Sequence, residues 1–357
     1  VTAGLPWDSK DQIRMSTPSF ALGSFAGDGG TPFPALVIGE RVHPLAGLPG
    51  FEGIRSMLDL FDDWDNLWPL LRDQAARRAA DPGPRALAAS MLQAVAPIVP
   101  RQIICSGANY RKHVIDIMID QDHGLNVGRS REERRIEAVR VMDHRAAKGQ
   151  PFAFLKPFSS ILGPFDDLAV PADSEQLDWE LELGVVIGKP ARRVGRDRAL
   201  DHVAGYVVVN DISVRDHLYR PDVPQLGLDW VSGKSGPGML PMGPLIVPAA
   251  FVADPQQLMI TLKLNGEVMQ HESTADMIFP IARLIEAFSV HMQLLPGDII
   301  CTGSPSGNGT HFGRFLRPGD VMEGTIEGLG TQRNRCVAER LAEGAVLHRP
   351  FVPLEPA

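Results

Sequence analysis

Apolar and polar positions alternate most cleanly along Leu177–Ile187. Leu177, Trp179, Leu181 and Leu183 fall on one face of an extended chain, and Asp178, Glu180 and Glu182 on the other. Beyond Gly184 both faces turn apolar, which predicts a strand running into a buried end. Apolar or alternating runs at Ile103–Cys105, Val203–Asn210, Leu258–Leu264, Ile299–Thr302 and Val321–Ile326 predict further strands. Turn signals separate them: Asn265-Gly266, Pro296-Gly297-Asp298 and Pro318-Gly319-Asp320. Helical spacing appears in Pro280–Val290, through Ile281, Leu284, Ile285 and Phe288, and in the charged segment Arg131–Ala147, through Ile136, Val139 and Met142.

Upstream of Ile103 the texture differs. Ala35–Gly39 reads as a strand, Glu52–Leu60 and Ala86–Ala96 as short helices, and the proline-bearing stretch Ala96–Pro100 as a boundary. The expected fold class is therefore mixed α/β, mainly β. It comprises a small α+β domain over residues 1–98, of unassigned role, and a larger domain over 99–357. Strand–helix alternation is too sparse for a doubly wound sheet.

Composition narrows the classes. The 357 residues carry 35 Lys and Arg against 43 Asp and Glu, a net charge of −8, which argues against nucleic acid as the main partner. No stretch reaches the 18 or so apolar residues of a membrane span, so no membrane partner is expected. No charged segment followed by an apolar one opens the chain, and Met15 is a candidate natural start. Cys105, Cys301 and Cys336 lie far apart without CxxC spacing, which suits a reducing, cytoplasmic location and neither a disulfide scaffold nor a cysteine zinc site.

The acidic face of Leu177–Ile187 carries the chemistry. Half-exposed strands with solvated acidic faces are common, but three like charges in a row repel unless something cationic covers them. A carboxylate near a buried end must be paired or hold a metal. Asp211, ending the apolar run Val203–Asn210, is placed to join Glu180 and Glu182. Three hard oxygen ligands suit Mg²⁺, with Mn²⁺ or Ca²⁺ as alternatives. Arg215 and Asp216 read as an ion pair. Gly233-Lys234-Ser235 fails as a phosphate loop, because position 228 is Leu where that motif needs Gly.

Across residues 103–337 the sequence resembles the fumarylacetoacetate hydrolase family. The ordered motifs are Ile104-Cys105-Ser106-Gly107-Ala108-Asn109-Tyr110 with His113, Phe154-Leu155-Lys156-Pro157, Glu180-Leu181-Glu182-Leu183-Gly184 and Gly205-Tyr206. They continue through Asn210-Asp211 with Arg215-Asp216, Gly233-Lys234-Ser235, Asn265 to Gln270, Pro296 to Ile300, and Thr302-Gly303-Ser304-Pro305-Ser306-Gly307. The resemblance implies a β-roll catalytic domain, a homodimer, and a divalent metal on Glu180, Glu182 and Asp211.

It further implies a lid histidine, His113, paired with Asp116 to activate water, and Lys234 as a catalytic cation. Substrate contacts would come from Lys156, Ser304, Tyr110 and Arg215, with Lys156 equally suited to capping a strand end. The span 113–150 makes a lid longer than in many relatives, suited to surface decoration, a dimer contact or a cover over a bulky substrate. The implied reaction is hydrolysis of a C–C bond in a 1,3-diketone or acylpyruvate-type 2-oxo acid through a metal-stabilised enolate. The alternatives are a decarboxylase, isomerase or dehydratase of a 2-oxo acid on the same site and, from another class, a non-catalytic metal- and ligand-binding protein.

Overall fold

The computed structural model describes residues 20–120, 128–223, 225, 227–349 and 351. Met15 and the lid positions 121–127 lie outside the described residues. The architecture is mixed α/β and dominated by sheet. Three larger sheets form its framework.

The first is a five-stranded antiparallel sheet in the order Leu87–Ala88, Arg41–Pro44, Phe33–Ile38, Ala21–Ala26, Gln93–Val95. The second runs Val247–Pro248, Val203–Asn210, Leu181–Ile187, Ile299–Cys301, Ile103–Gly107, Phe152–Lys156. The third runs Glu267–Ser273, Met259–Leu264, Val321–Ile326, Gly330–Ala338, Leu168–Val170.

The middle sheet lies between two cores, as the period-2 pattern requires. Leu181, Leu183, Val185 and Ile187 enter one core with Ile260, Leu262, Met322 and the helix Ile281–His291, which buries Ile281, Leu284, Ile285 and Phe288. Val186, Val207, Val209, Ile299 and Cys301 enter the other, together with Leu22, Leu36, Leu60, Trp64 and Leu71 from the first hundred residues. All three cysteines are buried thiols, and Cys105 and Cys301 are direct neighbours on parallel strands despite their distance in sequence.

Four expectations change. Leu177–Ile187 is not one strand: Leu177–Asp178 pairs with Ser213–Val214, and the long strand restarts at Leu181. The break comes where side chains replace ladder partners, since Asp178 accepts from the Trp179 N–H and the Asn210 side chain accepts from the Glu180 N–H.

Ala86–Ala96 is not helical. Its ends pair with neighbouring strands, and Ala94 packs against Phe25 and Leu245, so tertiary pairing overrides the propensity of alanine. The helix expected at Glu52–Leu60 starts only at Met57, under a Ser56–Asp59 capping box.

Finally, the helix Arg131–Lys148 buries Ala138 and Met142, whereas Ile136 is 62% exposed. The seventeen-residue helix Trp64–Ala80 has no counterpart in the sequence reading; its polar composition and Pro69 hide it. Among the described residues no helix is long and apolar enough to cross a membrane.

Candidate active site

The antiparallel register of Leu181–Ile187 with Val203–Asn210 sets Leu181 opposite Asn210, so the residues just beyond each strand end meet. The Asp211 N–H donates to the Glu180 carbonyl at 2.8 Å. Glu180, Glu182 and Asp211 are all buried, and each offers an oxygen within 4.8 Å of the other two.

Cations cover this cluster, as like-charge repulsion demands. Lys234 Nζ donates to Glu180 Oε2 at 2.5 Å and to Asp211 Oδ2 at 2.7 Å. Lys156 Nζ donates to Asp211 Oδ1 at 2.6 Å and to the Ile212 carbonyl at 3.1 Å. Arg215 Nε donates to Asp178 Oδ2 at 2.8 Å, and its Nη2 donates to Glu180 Oε1.

The expected Arg215–Asp216 pair does not form. Asp216 accepts from the Ser174 hydroxyl at 2.7 Å and from the Glu175 N–H, while Arg215 turns inward to the carboxylates. The backbone after Val214 coils into a short helix, Arg215–Leu218, which sends successive side chains in different directions.

Electrostatics divide the carboxylates. Burial pushes Glu180 up, but Arg215 and Lys234 more than offset it and hold its carboxyl well below the usual range. Lys234 is held well above its ordinary value, since Asp211 and Glu180 outweigh its burial. Among the described residues no ion pair includes Glu182. It accepts one backbone hydrogen bond, from Gly303 at 2.8 Å, while burial first and Asp211 second push its carboxyl well above the usual range.

A buried acid left short of positive charge beside two hard oxygen donors is the setting that a divalent cation satisfies, so the donor set fits one. Gly303 makes its contact possible through a left-handed φ of 96°, where a Cβ would stand 2.9 Å from Asn109 Cβ.

His113 and Asp116 lie on the helix Arg111–Asp120, so the expected i, i+3 pair shares a face. His113 is buried, and burial holds its pKa below the ordinary value against the opposing field of Glu180. Asp116 does not hydrogen-bond to the imidazole. Its Oδ2 accepts from the Ser306 hydroxyl at 2.7 Å.

Ser306 belongs to the glycine-rich loop, where Gly307 has a φ of 99° and a Cβ would meet the Met269 carbonyl at 2.0 Å. The second lid helix, Arg131–Lys148, packs on the first through Arg111–Asp143 at 2.7 Å. Its Arg145 guanidinium donates to the Ala108 carbonyl and lies over the Phe279 ring.

Ser304 is buried and accepts from Gln270 Nε2 at 2.9 Å. Tyr110 is fully buried, with no hydrogen-bond partner on its hydroxyl. Burial and the nearby Glu182 charge push the phenol up. Three contributors escape the sequence reading: Asp178 as the anchor of Arg215, Ser306 as the partner of Asp116, and Gln270 as the link between Ser304 and the Leu181 N–H. All three stand inside the motifs or runs quoted above, but only the folded chain shows what each side chain meets.

Known proteins resemble this chain in sequence and in fold. The family model described as Fumarylacetoacetate (FAA) hydrolase C-terminal matches residues 102–337. The chain is 44% identical over 191 residues to the 2,4-didehydro-3-deoxy-L-rhamnonate hydrolase of Sphingomonas sp. (strain SKA58), a match covering 52% of this chain and 65% of that protein. It therefore spans slightly under two thirds of that relative. It is 35% identical over 266 residues to a mitochondrial oxaloacetate tautomerase of Homo sapiens, covering 73% of this chain and 75% of that one.

Among solved structures, the 2-hydroxyhepta-2,4-diene-1,7-dioate isomerase from Mycobacterium marinum superposes with a TM-score of 0.62 at 27% identity. The match covers 92% of this chain and all of the other, and so extends into the first hundred residues. Hydrolase, tautomerase and isomerase names thus all occur among the relatives of this chain, which belongs to the fumarylacetoacetate hydrolase family.

Proposed function

We propose that this chain is a divalent-metal-dependent hydrolase that cleaves a C–C bond beside a carbonyl in an acylpyruvate-type 2-oxo acid. The observation that carries the reading is the buried Glu180–Glu182–Asp211 cluster, with Glu182 outside the ion pairs and the lid imidazole of His113 in the field of Glu180. Glu180, Glu182 and Asp211 would hold the ion, with Mg²⁺ the first choice for an all-oxygen set. A Lewis acid there supplies stabilisation of negative charge on the oxygen of a 2-oxo acid.

The chain's own groups do the rest. His113, neutral at neutral pH because burial disfavours its cation, takes a proton from water at an imidazole nitrogen. Asp116, tethered by Ser306, sets the lid helix that carries it. Lys234 places its ammonium beside two of the metal-binding carboxylates, where developing negative charge on the substrate would be met by a fixed cation. Arg215, Lys156, Ser304 and the unpartnered Tyr110 hydroxyl are the proposed substrate contacts. The hairpin of the two lid helices excludes water from the charges beneath it. A homodimer and a cytoplasmic location complete the reading.

A second reading, tautomerisation, draws support from the human relative matched over three quarters of its length. It uses His113 to move a proton on the substrate itself, without water attack. Mass-resolved product analysis separates the two. Purified protein is given Mg²⁺ or Mn²⁺ with acylpyruvates, oxaloacetate and deoxy-sugar 2-oxo acids, with EDTA as control. EDTA-sensitive release of pyruvate and a carboxylic acid is the expected result. An unchanged mass with exchange of substrate hydrogen for solvent deuterium would establish the tautomerase instead, whereas loss of CO₂ or of water would move the reaction to decarboxylation or dehydration.

A further inference from the structure

The first hundred residues hold a cavity of about 260 Å³ that shares no residue with the carboxylate cluster. It lies between the strand Arg41–Pro44, the turn that follows it, and the loop leaving the helix Trp64–Ala80. His43, Arg78 and Arg85 supply its polar wall, and Leu48, Pro82 and Pro84 much of its apolar one. No Asp or Glu lines it.

His43 is 3% exposed, and its Nε2 has no hydrogen-bond partner. The Nε of Arg78 is likewise buried and without a partner. Among the described residues the ion pairs include neither Arg78 nor Arg85. Arg78 sits in the last turn of its helix, where a cation is favourable. That accounts neither for the buried, unpaired Nε nor for Arg85, which lies outside the helix. Burial first, then the charges of Arg78 and Arg41, lowers the pKa of His43.

Buried donors without acceptors cost free energy until something accepts from them. Guanidinium groups present planar pairs of N–H donors that match a carboxylate. We propose that this cavity binds a small organic carboxylate. Arg78 and Arg85 would hold the anionic end, His43 Nε2–H would donate to it, and the apolar body would lie on Leu48, Pro82 and Pro84. The inference stands on this cavity alone and does not depend on the reaction proposed above.

The test uses the full chain and calorimetric titration with three probes: benzoate for charge with an apolar body, inorganic phosphate for charge alone, and benzyl alcohol for the body alone. Saturable benzoate binding, at least tenfold tighter than either other probe, is expected. Arg78→Gln/Arg85→Gln should weaken it at least tenfold, and Arg215→Gln should leave it within twofold.

Arg85→Gln alone, at an exposed side chain, guards against misfolding of the double variant and should weaken benzoate at least threefold. No saturable binding would overturn the proposal. So would binding equal to that of benzyl alcohol, binding lost in Arg215→Gln, or binding unchanged in both variants at positions 78 and 85. Phosphate binding as tightly as benzoate would overturn the assignment of an apolar body.

Discussion

The carboxylate cluster and the lid are held in opposite ways. Glu180 and Asp211 each meet two cationic side chains, just beyond the ends of strands whose residues are buried. His113 and Asp116 ride on a helix tied to the site's glycine-rich loop by the hydrogen bond from Ser306 to Asp116. The hairpin ion pairs Arg111–Asp143 and Lys112–Glu272 are partly exposed, while Val114 and Met142 join the buried core. The first region is preorganised for charge and needs no movement to present it. The second combines a few buried apolar contacts with exposed polar ones that exchange with water, as the proposed substrate cover would require.

Substitutions should separate the two regions by what they abolish. The largest effect is expected at Glu182→Ala, which should lose metal binding and turnover together in a metal titration followed by an activity assay. His113→Ala should keep the metal and lose about 10²–10⁴-fold in kcat. Retained turnover in that variant removes the imidazole from the mechanism.

Next comes Lys156→Met. It strips one of two cations from a fully buried Asp211, and about 3 kcal/mol of stability should go with it. Denaturant unfolding in EDTA reads that loss without interference from a bound ion.

Ser306→Ala should lower kcat by about ten- to hundredfold, the value of one hydrogen bond to a charged group, while KM and the unfolding midpoint hold. Ser306→Thr should restore most of it. An equal change in KM would assign Ser306 to substrate binding rather than to the lid.

The smallest effect is in pH. Burial lowers the His113 pKa below 6.5, so the acidic limb of kcat/KM should fall below pH 6.5. The sign for stability follows. The unfolded chain binds the proton more readily, so this residue's contribution is complete above pH 6.5 and is lost as the pH falls below it. His113→Gln should flatten that slope.

What the sequence made legible was the part fixed by local rules. Period-2 alternation brought Glu180 and Glu182 to one face and Asp211 to the end of a strand, although Glu180 falls in the break before Leu181, and like-charge repulsion required the cations that Lys234 and Arg215 provide. Partner choice was not legible. Arg215 was matched to its neighbour Asp216, yet backbone curvature sends it to Asp178 and Glu180.

Long-range pairing also escaped. Ala86–Ala96 has the residues of a helix but meets the edges of a sheet, and Ile136 suited a buried stripe that the neighbouring helix does not cover. Such outcomes depend on what the chain packs against, which no window of a dozen residues contains.

The apolar core that joins Leu22, Leu36 and Trp64 to Val186, Val207 and Cys301 crosses the proline-bearing stretch taken as a boundary. Leu22 also exchanges backbone hydrogen bonds with Ile246, at 2.9 and 2.8 Å. A chain cut after residue 98 would leave one face of the middle sheet stripped of its cover and open to water. The shared core predicts cooperativity across the change in sequence texture, and calorimetry should record one unfolding transition for the whole chain.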